Sequence, residues 1–144
     1  GKNSQGRWGA GSAGDTVCVM ARQSDRPNRI SQTASGLEVG RAYCLQFVTA
    51  ALKDAAGKQP EPRQYGIDVE LDGAEILPEK SFVHVDRRGR ERAKGDDGAA
   101  RINLHRVVFR AKSTTQRIVF HDERALPGEE LMINFIQLKP YLEE

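Results

Sequence analysis

The sequence predicts an all-β chain folded as an antiparallel β-sandwich, and three observations carry that reading. Several stretches alternate with a period of two. Tyr43, Leu45, Phe47 and Thr49 interleave with Cys44, Gln46, Val48 and Ala50, and Ile67, Val69 and Leu71 oppose Asp68 and Glu70. A strand with one buried face needs that period. Turn signals such as QSDRPN, Asp72-Gly73 and Pro127-Gly128 recur at roughly the 8–12-residue spacing of a sandwich. No stretch of helical period exceeds about three turns.

The elements follow in order. Residues 1–14, rich in Gly, Ser and Asn, read as a loop or flexible N-terminal segment carrying Trp8. Residues 16–21 are apolar and β-branched enough for a buried strand. QSDRPN turns the chain around Pro27. Residues 30–33 make a short strand. Gly36 and Gly40 mark a bend, because glycine reaches positive φ without a Cβ clash. The strand at 43–50 follows, and 53–64, with Pro60 and Pro62, is a connecting loop. Residues 65–71 alternate again, Asp72-Gly73 signals a tight turn, and 74–77 reads as the return strand. Residues 81–85 form another short strand. The stretch DRRGRERAKGDDG has no apolar residue except Ala93 and reads as a solvated loop. Strands are expected at 102–111, 117–121 and 131–138, the last closed by Pro140.

The chain has 144 residues, enough for a single domain over 1–144 with a real core. Lys plus Arg is 22 and Asp plus Glu is 20, a net charge of +2. That balance gives no basis for a nucleic-acid partner across the whole surface. No apolar run is long enough to span a bilayer, so no membrane partner is expected. The abrupt start, GKNSQGRWG, reads as a segment excised from a larger protein. Cys18 and Cys44 have no Cys or His neighbour at metal-ligand spacing. They either pair, if the domain is exported, or stay as two separate buried thiols.

Three ordered blocks resemble the galactose-binding-like jelly-roll modules. The first is residues 30–47, ISQTASGLEVGRAYCLQF, with Ser-Gln followed by Gly-Leu-x-x-Gly-x-x-Tyr-x-Leu-x-Phe. The second is LHRVVFRAKSTTQRIVF, similar to a long strand, a Ser/Thr turn and an apolar return strand. The third is GEELMINFIQL, similar to the family's closing strand. The resemblance implies a jelly roll and a non-catalytic carbohydrate-binding module that tethers a larger extracellular protein to glycan. It implies a secreted, periplasmic or cell-surface location, with other domains of the same parent protein as neighbours. Family members commonly hold a structural calcium with an acidic opening strand and an acid in the closing strand. Here the opening strand has no match and Asn134 stands at the closing position. No cofactor or tightly held calcium is therefore expected.

Sugar sites use aromatic faces together with amide, carboxylate and imidazole groups. Tyr43, Phe47, Phe109, Phe120 and Phe135 fall on inward strand phases and read as core. Trp8 and Tyr65, in or beside loops, are the candidate platforms. Gln46, Asp68, His84 and Asn103 have phases compatible with a polar outer face and are the candidate hydroxyl partners, with Glu70 beside them. His105 shares the phase of Val107 and Phe109 and reads as a hydrogen-bonded histidine at the core edge. Asn134 reads as structural at a sheet edge. The loop after residue 85 carries Arg87, Arg88, Arg90, Arg92 and Lys94 against Asp86 and Glu91. Arginine forks suit sulfate, uronate or phosphate, so the expected partner is a polysaccharide, with an acidic one favoured. No nucleophile elbow or His-Glu-x-x-His spacing occurs, so no enzyme is expected. The alternative is a structural or protein-interaction sandwich without a sugar site, motivated by the scarcity of loop aromatics.

Overall fold

The computed structural model describes residues 2–3, 16–53, 63–85 and 102–142. Trp8, Arg87, Arg88 and Arg90 lie outside these residues. The described chain forms ten strands: β1 Lys2–Asn3, β2 Thr16–Ala21, β3 Arg29–Ala34, β4 Ala42–Lys53, β5 Asp68–Leu71, β6 Glu75–Ile76, β7 Phe82–Val85, β8 Ile102–Arg110, β9 Gln116–His121 and β10 Glu130–Pro140. A single 3-10 turn, Pro78–Lys80, sits between β6 and β7. No helix among the described residues is long and apolar enough to cross a membrane.

The strands make two antiparallel sheets. The large one runs β1-β2-β10-β4-β8-β6, with β7 also paired to β8, and the small one runs β3-β9-β5. The β4 alternation explains how they stack. Tyr43, Leu45, Phe47 and Ala51 all enter the core, as do Phe109 of β8 and Leu131 and Ile133 of β10. The small sheet answers with Ile118 and Phe120 from β9 and Leu71 from β5. The Phe47 and Phe120 rings meet edge-on, centroids 4.9 Å apart, and close the interior between the sheets. Burying a phenylalanine of this kind stabilises by roughly 1.5–3 kcal/mol.

Two features depart from expectation. The Asp72-Gly73 turn forms, with Gly73 at φ 76° and the Ala74 N–H donating to the Leu71 carbonyl at 3.2 Å. The chain does not then return along β5. It crosses to the other sheet, where β6 pairs with Arg110 and Phe109 of β8. Both residues of β6 are exposed and offer little apolar surface to hold a hairpin on β5. The Leu77 N–H, donating to the Val108 carbonyl at 2.8 Å, fixes the segment to β8 instead.

The second departure is in β10. Asn134 is registered to Val48 and Gln137 to Gln46, so Phe135 and Ile136 together oppose Phe47. This is a β-bulge, and Phe135 takes φ 52° in it. The extra residue breaks the period-two phase, and Phe135, expected inward, is 46% exposed. Asn134 lies on an interior strand, between β2 and β4, and not at an edge. Cys18 and Cys44 are both free thiols.

Candidate functional site

The outer face of the large sheet can be read from the register. Phe82 of β7 is paired with Arg106 of β8, Arg106 with Gln46 of β4, and Gln46 with Gln137 of β10. Directly paired residues project on the same side, so these four form one row across four strands. Phe47 and His105, the next residues along, face the core. The neighbouring row is His84, Leu104, Val48 and Asn134. On the other flank, Val108 and Cys44 are buried beside Lys139.

Arg106 is the centre of this face. Its guanidinium lies 5.0 Å from the Phe82 ring centroid and 5.4 Å from that of Tyr141. Its Nε donates to the Lys80 carbonyl at 2.9 Å. The Lys80 ammonium also lies over Tyr141, at 5.2 Å. Local structure sets this arrangement. Pro78 starts the 3-10 turn, where its missing N–H costs nothing. The Ser81 hydroxyl donates to the Leu77 carbonyl and accepts from the Val108 N–H, both at 2.9 Å. Those bonds pin the turn to β8 and bring the Lys80 carbonyl to Arg106. Tyr141 arrives from the end of β10, where its N–H donates to the Ala42 carbonyl at 2.9 Å.

The electrostatics follow from the partners. Among the described residues Arg106 meets rings and one carbonyl but no carboxylate. Cation–π contact and one carbonyl orient a guanidinium without neutralising it. Burial pushes the Cys44 thiol up, against the opposing pull of Arg106 and Lys139. A buried thiol shifted that way is a poor nucleophile.

The residues singled out in the sequence scatter. Gln46 and His84 are on this outer face, half-buried and exposed respectively. Tyr65 is not an exposed platform: it is fully buried, part of the core. Asn103 is not on an outer face either. It is buried, its Oδ1 accepting the Tyr65 N–H at 2.8 Å and its Nδ2 donating to the Arg63 carbonyl at 2.9 Å. Both roles are structural. Gly66 shares that constraint, since a Cβ there would come within 2.5 Å of the Ala125 backbone nitrogen. Asp68 faces outward, but from the small sheet, where Arg124 grips both its oxygens at 2.6 and 2.9 Å. His105 is the expected core-edge histidine, its Nε2 2.7 Å from the Thr49 hydroxyl and its ring stacked on Phe47.

Phe82, Arg106, Gln137 and Tyr141 were not singled out. The signal for Arg106 was present: once His105, Val107 and Phe109 face inward, Leu104, Arg106 and Val108 must face outward. Tyr141 follows Pro140, beyond the alternating pattern, and its approach to Arg106 has no local signature. Comparison with protein-family models, curated proteins and solved structures finds no match to this chain.

Proposed function

We propose that this domain is a non-catalytic carbohydrate-binding module of the galactose-binding-like jelly-roll type, serving a larger extracellular protein, and that it takes an acidic glycan on the Phe82–Arg106–Gln46–Gln137 row. One observation carries the reading. Arg106 is an oriented, half-buried guanidinium between two aromatic rings, with no carboxylate partner among the described residues. Its fork suits a uronate carboxylate or a sulfate. Phe82, 47% exposed, offers a ring face to a pyranose. Gln46 and Gln137 supply amide donors and acceptors for hydroxyls.

The test is calorimetry against a polyuronate, a sulfated polysaccharide and a neutral glucan. Binding is expected to the acidic polymers, weakening as salt rises because screening shortens the reach of the cations. Silence of the wild type across all three sinks the reading. A second reading, a protein-interaction sandwich without sugar binding, draws on the apolar exposure of Leu104, Phe135 and Ile136. That silence would favour it.

A further inference from the structure

The outer face of the small sheet gathers a different set of groups. By register it presents Arg29 from β3, Val119 and His121 from β9, and Asp68 and Glu70 from β5. Glu70 is paired with Val119, so it lies diagonal to His121, a spacing long side chains bridge. Glu70 Oε1 is 3.3 Å from His121 Nε2. On the other edge of the ring, Glu123 Oε2 is 3.7 Å from Nδ1, and the Glu123 N–H donates to Nδ1 at 3.4 Å. One ligand atom from each of the three residues lies within 4.8 Å of the others.

We propose that Glu70, His121 and Glu123 bind a divalent cation of the borderline class that zinc represents, through one imidazole nitrogen and one oxygen from each carboxylate. The donor set selects the class. One nitrogen and two oxygens with water suit zinc. Calcium asks for about six to eight oxygens, which this group does not supply. The 3.3 Å between Glu70 Oε1 and His121 Nε2 is near the roughly 3.3 Å between ligands around a tetrahedral ion with bonds of about 2.0 Å, and the third ligand atom, from Glu123, lies within 4.8 Å of the other two. Glu123 stands in solvent on the turn after β9, so its carboxylate can swing toward the nitrogen that Glu70 meets.

The surroundings support a cation. Arg29 holds the other oxygen of Glu70 at 2.8 Å. It leaves Oε1 turned to the imidazole, the orienting role that outer partners play at metal sites. Arg124 is neutralised by its two bonds to Asp68. The carboxylates of Glu70, Glu123 and Asp68 therefore outnumber the two guanidiniums. The imidazole is buried and held by the β9 register, so half of the site is preformed. A bound ion would tie the edge strand β5 to β9 and to the following turn. The site is separate from the Arg106 face and owes nothing to Asn134.

The test uses the full chain stripped with a chelator and then titrated with zinc chloride, with cobalt(II) as a spectroscopic probe. The wild type is expected to take up one equivalent. Its melting temperature should rise by roughly 5 °C or more at a hundredfold excess over the Kd. Bound cobalt should show the intense visible absorption of a four-coordinate ion. Glu123→Gln, which alters a solvent-facing group, should fold normally and lose at least about tenfold in zinc affinity. Glu70→Gln should lose as much. His84→Asn, on the other sheet, should bind as the wild type does. A wild type with no binding heat and no thermal shift overturns the proposal. So do Glu123→Gln and Glu70→Gln proteins that both bind zinc as tightly as the wild type.

Discussion

The two outer faces of the sandwich handle charge in opposite ways. On the small sheet the guanidiniums are paired, Arg29 with Glu70 and Arg124 with Asp68, and the His121 imidazole lies beside Glu70 and Glu123. On the large sheet Arg106 is held by rings and a carbonyl. Paired charge on a surface is nearly silent toward polyanions, because its field cancels within a few ångströms. An oriented guanidinium with its charge intact keeps its reach, over about 8 Å at physiological salt. The difference separates a face whose guanidiniums are paired with carboxylates from one whose guanidinium is not.

The strongest way to break that contrast is at the buried end of the small sheet's charge. Asp122, the residue after His121, is fully buried. Its two oxygens accept from the Asn28 N–H at 2.6 Å and the Asn28 side-chain amide at 2.7 Å, tying the start of β3 to the end of β9. Asp122→Ala leaves the Asn28 N–H without its carboxylate and the Asn28 side-chain amide with only the Ala21 carbonyl, at 2.9 Å. The expected loss is about 3–5 kcal/mol in denaturant unfolding. A loss under 1 kcal/mol would mean that this sheet's charges are ornamental.

At the core edge of the large sheet, burial disfavours a charge on His105, and pH exposes that. Burial pushes the His105 imidazole down to about 4, with Asp68 pulling it up and Arg124 pushing it down. In the unfolded chain it titrates near 6.5. Between those values the unfolded state binds more protons, so stability is fully present above 6.5 and is lost as pH falls toward 4. The full contribution is roughly 3 kcal/mol. Unfolding midpoints of wild type and His105→Gln, compared from pH 7 to pH 4, should converge by about that amount. Parallel curves would show that His105 contributes nothing to the acid sensitivity.

The strands were legible because the buried face repeats every second residue. β2 is found at its expected bounds, and the cores of β4, β8 and β9 carry the expected residues. What sequence could not supply was pairing across distance. The tight turn at Asp72-Gly73 was visible, but its exit to β8 depends on the Leu77–Val108 bond, a partner 31 residues away by number. The same holds for Asn103. It shares the inward phase of His105 and Phe109, and two backbone groups at 63 and 65 take up its amide there. Phe135 shows a third limit, since a one-residue bulge inverts a phase that alternation alone propagates. The Arg106 row needed both: an outward phase, readable in β8, and the arrival of Phe82 and Tyr141, which was not.

A smaller effect sharpens the comparison from the large-sheet side. Arg106→Ala is expected to weaken binding to a polyuronate by about tenfold, or roughly 1.4 kcal/mol. Arg106→Lys should recover part of the salt dependence but not the affinity, because a point charge lacks the bidentate fork. Calorimetry at two salt concentrations separates these outcomes. The triple change Arg87→Ala/Arg88→Ala/Arg90→Ala tests the loop in the same assay. Loss there with Arg106→Ala unchanged would move the acidic preference from the sheet to the loop.

The smallest effect is expected at Asp68. It faces outward on the small sheet, partly exposed, and accepts two bonds from Arg124. The geometry is good, but both groups stand in water, where such pairs contribute at most about 1 kcal/mol. Asp68→Asn should therefore lower stability by about 0.5–1 kcal/mol, with the difference shrinking in high salt. It should leave polyuronate retention unchanged, although removing an acid raises the net charge of the domain. That combination separates location from total charge. If retention rises as much as overall charge would dictate, the two faces are not distinct in the way proposed, and the domain binds polyanions through its whole surface. If retention stays level while Arg106→Ala loses it, recognition belongs to the large-sheet face.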